Sequence, residues 1–235
     1  SFPGEQTSHN VIATKSPINK KKSTGEVIAI GAHHDSVELA PGANDNASGT
    51  AVTLELARVL KNLPTETELH FLTFGAEELG LIGSDYYVNN LSEDELDQIV
   101  GYFNLDMVGS RDAGDLVLNT VDGKPNFVTE LSQASSLRLN GLATPYEQEG
   151  RSDHVPFHEA GIPSANFIHS PLEPWYHSPD DTIDKISKEK LLDVAKIAGT
   201  AIYDYAQMDK SGPKPKSNKG KKQKFPNSHH KKNLK

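Results

Sequence analysis

The sequence predicts an α/β fold, a layered domain around a largely parallel central sheet. Two observations predict it. Apolar runs of strand length alternate along the chain with segments whose apolar residues recur at helical spacing, the pattern of strands and helices stacked in one domain. Residues able to do chemistry follow directly after the apolar runs, and in such sheets ligand sites form beyond the carboxyl ends of strands.

Asn10–Thr14 and Glu26–Ala32 read as strands, separated by the turn-prone stretch Ser16–Gly25. Ser48–Leu60 reads as a helix, with Ala51, Leu54, Leu56, Ala57 and Leu60 on one face. Leu69–Phe74 becomes continuously apolar, as a buried strand does. Leu81–Asn89 and Ser92–Ile99 are helical, and Ser92 with Glu95 three residues on has the form of a capping box. Val100–Leu105 and Leu116–Thr120 are strands, Asn126–Ser136 a helix, and Ser164–Ile168 a strand. Ser187–Tyr205 is an amphipathic closing helix.

Length and composition bound the rest. The 235 residues, 35% hydrophobic and 24% charged, suit one domain with a substantial core. No apolar run approaches the roughly 18–20 residues a membrane-spanning helix needs. With no cysteine, disulfides and thiolate metal sites are excluded, so a metal must be held by nitrogen and oxygen. The chain opens Ser-Phe-Pro-Gly, without an initiator Met or a charged-then-apolar leader, and is expected to be a mature or excised fragment.

Residues 1–9 form a polar segment, 10–208 the expected catalytic domain, and 209–235 a basic tail expected to be disordered. Residues 211–235 hold nine Lys and no acid. The remaining 15 basic and 32 acidic residues give the body a net charge of −17. The tail is expected to contact anionic cell-surface polymers or to be a plain solvated terminus. Neither part points to a specific nucleic-acid partner.

Five residues of metal-ligand type sit at the ends of these elements. His33 follows the run Val27–Ala32, the pair Glu77-Glu78 follows Leu69–Phe74 and offers one ligand, and Asp106 follows Val100–Leu105. Asp45 lies in the Gly- and Asn-rich turn before a helix, and His177 in a loop stiffened by Pro174, Trp175 and Pro179. Two His and three carboxylates suffice for two zinc ions that share one carboxylate. Asp35 stands two residues after His33, able to fix an imidazole tautomer. Of Glu77 and Glu78, one can bind metal while the other stays free as a general base. Each residue also has an ordinary reading, as a solvated turn, an Asx turn or a packed His. Their joint occurrence at successive strand ends favours chemistry. His34, His70, His158 and His169 lack carboxylate context and read as packing or surface residues.

The ordered series resembles a known family. Ala32-His33-His34-Asp35-Ser36-Val37, Gly42-Ala43-Asn44-Asp45-Asn46-Ala47-Ser48-Gly49, Glu77-Glu78, Asn104-Leu105-Asp106-Met107, Arg151-Ser152-Asp153-His154 and Tyr176-His177 are similar to the motifs of the secreted di-zinc aminopeptidases. These are the bacterial aminopeptidase S and yeast aminopeptidase Y group, and the likeness to Bacillus-type members is strong over residues 8–206. The resemblance implies a three-layer α/β/α zinc-exopeptidase fold, phosphorylase/hydrolase-like, with a mixed, largely parallel sheet. It implies one zinc on His33 and Asp106, a second on Glu78 and His177, and Asp45 bridging them, with the Asp45–Asn46 peptide expected in the cis form. It implies Glu77 as general base, Asp35 orienting His33, and Tyr176 and Arg151 stabilising the tetrahedral intermediate.

The activity implied is removal of N-terminal residues, large and apolar by preference, from peptides with a free amine, by a secreted monomer. Met107, Val108, Phe157 and Phe167 are the expected wall of the specificity pocket. Three readings compete: a single-zinc glutaminyl cyclase-like acyltransferase, a carboxypeptidase of the glutamate-carboxypeptidase type, and a non-catalytic binding module on the same fold.

Overall fold

The computed structural model describes residues 4, 6–18 and 20–207. The expected basic tail, 209–235, lies outside the described residues, as does part of the 1–9 segment. Seven strands form one sheet: β1 (Val11–Lys15), β2 (Val27–His33), β3 (Glu68–Phe74), β4 (Ile99–Leu105), β5 (Asp115–Thr120), β6 (Tyr146–Gln148) and β7 (Ser164–Ser170). Their order is β1-β3-β2-β4-β7-β5-β6. The four inner strands β3, β2, β4 and β7 run parallel, whereas β1 pairs antiparallel with β3 and β5 antiparallel with β7. The sheet is therefore mixed, with a parallel centre.

Among the described residues six α-helices flank it: α1 (Gly49–Leu60), α2 (Ile82–Asn89), α3 (Glu93–Gln98), α4 (Phe127–Asn140), α5 (His154–Glu159) and α6 (Lys188–Ala206). Strand period divides the core in two. Ile28, Ile30, Leu69, Phe71, Phe103 and Leu105 point to one face and pack with Val52 and Leu56 of α1, Val128 of α4 and Val194 and Ile197 of α6. Val27, Ala29, Leu72, Phe74, Ile99 and Tyr102 point to the other face and pack with Tyr87 of α2, Leu96 of α3 and Phe157 of α5. Strands buried on both faces explain why these runs read as nearly continuous apolar stretches.

The chain leaves β2 toward one face and β3 toward the other, so a crevice opens at the carboxyl ends of the two strands. This is the position at which such sheets bind ligands.

Local rules hold where their chemistry is present. The Ser92 capping box forms, with Ser92 Oγ accepting from Glu95 N at 3.3 Å and Ser92 N donating to Glu95 Oε2 at 2.8 Å. Asn126 caps α4 in the same manner with Thr129, and the helix continues past Ser136 to Asn140, where Gly141 at φ 74° ends it. The expected helix at Ser48 begins instead at Gly49. Before it, Ala43–Ser48 is wound more loosely, with non-helical angles at Asp45 and Asn46. Gly49 is required there, because a Cβ would sit 2.0 Å from Leu105 O. That close approach brings the Asp45 turn against the end of β4.

Candidate metal centre and active site

The ends of β2, β3 and β4, the Ala43–Ser48 turn and the loop after β7 meet in the crevice. His33, the last residue of β2, is 1% exposed. Its Nε2 lies 3.2 Å from Asp45 Oδ1 and 3.3 Å from Asp106 Oδ1. The Nε2 of His177 lies 3.0 Å from Asp45 Oδ2 and 3.2 Å from Glu78 Oε2. The two oxygens of Asp45 thus face two different imidazoles, each of which also faces a carboxylate of its own. The Asp45–Asn46 peptide is cis, as expected.

These groups fit a metal. The Nδ1 of His33 lies 3.1 Å from the Asp35 main-chain oxygen. A proton on Nδ1 satisfies that contact and leaves Nε2 a bare lone pair facing two carboxylate oxygens. Only a proton or a cation between them makes that arrangement favourable. Asp106 Oδ1 and Glu78 Oε1 are buried without a hydrogen-bond partner, a costly state for a carboxylate that a bound cation removes. His33, Asp45 and Glu78 offer atoms within 4.8 Å of one another, and so do His33, Glu77 and Asp106. Imidazole and carboxylate together suit zinc.

Asp35 does more than was read from the sequence. Besides lying 3.5 Å from His33 Nδ1, its Oδ1 and Oδ2 accept from the main-chain N–H groups of Glu77 and Glu78, at 3.1 and 3.2 Å. It therefore sets both the imidazole and the turn that carries the two glutamates. Glu77 Oε2 lies 4.0 Å from His33 Nε2, farther than Asp45 or Asp106, with its side chain buried. Ala76, Met107 and His177 have positive φ of 59°, 59° and 54°. Non-glycine residues held in this region cluster at functional sites, and here Ala76 adjoins Glu77, Met107 adjoins Asp106, and His177 is itself a candidate ligand.

Crowding of carboxylates sets the electrostatics. Burial pushes Glu77 up to about 9, with Asp106, Asp153 and Glu78 adding to it. Burial, then Asp45, pushes Glu78 up to about 7. Burial also raises Asp45, helped by Asp106. For His33 burial opposes the charged form, but Asp106, Asp35 and Asp45 outweigh it and hold the imidazole well above its ordinary value.

In metal-free protein the native state therefore keeps protons that the unfolded chain releases. For Glu77 and Glu78, raised above their unfolded values, stability is lost as pH climbs from about 4.5 toward the folded values. For His33 it is present below about 6.5 and lost as pH rises through the raised value. Both signs agree, so chelator-treated protein should melt at progressively lower temperature from about pH 5.5 to about pH 8.5. Added zinc should raise Tm more at the upper pH. A flat or rising Tm for the chelated protein contradicts this.

The pocket in front of these groups has a volume of about 410 Å³ and is lined by Asp45, Glu77, Glu78, Asp106 and His177 at its base. Tyr176 stands on its wall, its ring stacked on His177 at 3.8 Å. Burial, with Asp45, pushes the phenol up to about 12, so it keeps its proton. Arg151 lines the wall too, exposed and ion-paired to Glu149.

The expected specificity wall needs correction. Met107 does line the pocket, but Val108 and Phe167 belong to the core beneath α1 and α6, and Phe157 stacks on Tyr102 at 3.8 Å in the opposite core. Ile168, Leu172, Val155 and Pro156 line the pocket in their place. His70 also departs from its reading, since its Nε2 lies 2.9 Å from Glu68 Oε1 on the same strand.

Sequence reasoning gave no role to Asp153, fully buried, to which Ser84 Oγ donates at 2.5 Å, or to Ser152, which accepts from Asn104 Nδ2 at 2.7 Å. It also missed Asn46, whose Nδ2 donates to Leu105 O at 2.9 Å and whose Oδ1 accepts from Met107 N at 3.3 Å. A polar residue in a turn gives no sign in sequence of which distant main chain it will meet.

Known proteins resemble this chain over most of its length. The chain is 48% identical over 219 residues to the aminopeptidase YwaD of Bacillus subtilis, covering 90% of this chain and 47% of that protein. It is similar in structure to an aminopeptidase from Aneurinibacillus sp. strain AM-1, with a TM-score of 0.84 and 65% identity over 85% of this chain and 48% of that one. A zinc aminopeptidase from Bacillus subtilis superposes with a TM-score of 0.81 and 48% identity, over 86% of this chain and 51% of the other. The chain thus spans about half the length of these relatives. The model of Peptidase family M28 matches residues 10–202, a span that takes in every residue converging on the crevice, from His33 to His177; the chain belongs to peptidase family M28.

Proposed function

We propose that this chain is the catalytic unit of a zinc aminopeptidase that uses two zinc ions. The observation that carries the reading is Asp45, whose two oxygens lie 3.2 and 3.0 Å from the imidazoles of His33 and His177. His33 and Asp106 would hold one ion, His177 and Glu78 the other, with Asp45 shared. Zinc held there supplies Lewis acidity, polarising the scissile carbonyl and lowering the pKa of water to about 7.

The protein's own groups do the rest. Glu77 takes the proton from the attacking water and returns it to the leaving amine. The Tyr176 hydroxyl donates a hydrogen bond to the oxygen on which charge develops, and Arg151 adds a positive charge on the same wall. Carboxylates at the base of the pocket attract the substrate's α-ammonium, which an acylated terminus lacks. Met107, Ile168 and Leu172 offer an apolar surface to the first side chain. The resemblance to the secreted di-zinc aminopeptidases favours action outside the cell, as a monomer, and the nine Lys of 211–235 suit a tether to anionic polymers.

Hydrolysis of aminoacyl-p-nitroanilides tests the reading. The Leu, Met and Phe compounds should be cleaved, the Asp compound poorly, and N-acetyl-Leu-p-nitroanilide not at all. Chelation should abolish turnover and zinc restore it. Conversion of a Gln-peptide to a pyroglutamyl product without p-nitroanilide release would favour the cyclase reading instead.

A further inference from the structure

We infer that Asp181 is a positioning residue that couples the two halves of the metal centre. It tethers the turn carrying the shared ligand Asp45 to the loop carrying His177. The inference rests on the two-ion reading above.

Asp181 stands four residues after His177 and is 1% exposed. Its Oδ1 accepts from Asn44 N at 2.7 Å and its Oδ2 from Asp45 N at 3.0 Å, while its main-chain oxygen accepts from Ala43 N at 3.2 Å. A carboxylate that accepts two main-chain N–H groups fixes both peptide planes, because the donors' directions and its own plane must agree. One of those planes carries Asp45.

A second tie joins the same two loops. Asn44, fully buried, donates from Nδ2 to Glu173 Oε1 at 2.8 Å. Its Oδ1 accepts from Gly109 N at 2.8 Å, three residues past Asp106. The turns bearing Asp45, Asp106 and His177 therefore meet at Asn44. On the His33 and Asp106 side, Asn46 holds Asp45 independently through Leu105 O and Met107 N. On the His177 side, Asp181 and Glu173 hold the Asp45 turn through side-chain hydrogen bonds. Loss of the Asp181 tie should therefore fall unequally on the two ions.

The test is zinc binding by wild-type protein and Asp181→Asn, read by competition with a chromophoric chelator, with kcat and KM measured alongside. The substitution places an amide NH₂ against a main-chain N–H and removes one of the two bonds. One zinc step should loosen by about 10–100-fold, the usual cost of losing a group that orients a ligand, and the other should hold. kcat should fall with little change in KM. Glu173→Ala cuts the second tie and should shift the same step in the same direction, which keeps the inference testable if Asp181→Asn does not fold. Two zinc steps in wild type, unchanged in whichever variants fold, would overturn the coupling role. So would equal loosening of both steps. Wild-type protein that binds a single zinc would overturn the two-ion reading itself.

Discussion

Glu77→Gln is expected to lower kcat for Leu-p-nitroanilide by about 10²–10⁴-fold, the usual worth of a general acid–base group, while zinc content stays at the wild-type level. Glu77 stands beside the proposed ligands but farther from His33 than they do. Its main-chain N–H is fixed by Asp35 Oδ1. Its Oε2 stands 4.0 Å from His33 Nε2, beyond the 3.2 and 3.3 Å of Asp45 and Asp106. Gln preserves the size of the side chain and its ability to hydrogen-bond, but it cannot take up a proton near neutral pH. Burial pushes Glu77 up to about 9 among its own neighbours, and two dications nearby would pull it back down, into the range where it can both accept and release a proton. Activity within about tenfold of wild type would remove Glu77 from the role of base. Loss of zinc in the variant would make it a ligand instead.

Asp45→Ala should do the opposite to the metal. A residue that shares its two oxygens between two ions cannot be replaced at either. Zinc affinity and activity should both fall by more than about 100-fold, the upper range for groups that merely orient ligands. The stability signature should be equally specific. Asp45 is 6% exposed and its carboxyl is raised by burial and by Asp106, so it is held in the metal-free protein against its own electrostatics. Metal-free Asp45→Ala should therefore melt no lower than metal-free wild type at about pH 8, while the rise in Tm that zinc gives the wild type should disappear. A variant that keeps a full zinc-induced rise would show that Asp45 is not shared.

The parts of this site that sequence made legible are those that obey short periods. Buried parallel strands write themselves as apolar runs, so the ends of β2, β3 and β4, and with them His33, Glu77, Glu78 and Asp106, could be placed from sequence. The same period explains one error in the pocket wall. Phe167 and Ile168 are neighbours on β7 that face opposite sides, and choosing Phe167 moves the side chain from the pocket to the core. β6 was missed because Tyr146, Glu147 and Gln148 are all exposed and show no alternation. α5 was missed because six residues with Pro156 in the first turn are too few to show a helical period. Asp181 sits among Pro179, Asp180 and Thr182, a composition that reads as an ordinary turn, and its partners are more than 130 residues away in sequence.

Zinc counted per chain, by elemental analysis of wild-type protein reconstituted and then freed of loose metal, tests the central arrangement most directly. Two zinc ions per active chain is the result expected from a carboxylate that faces two imidazoles. A single zinc in fully active protein would contradict it.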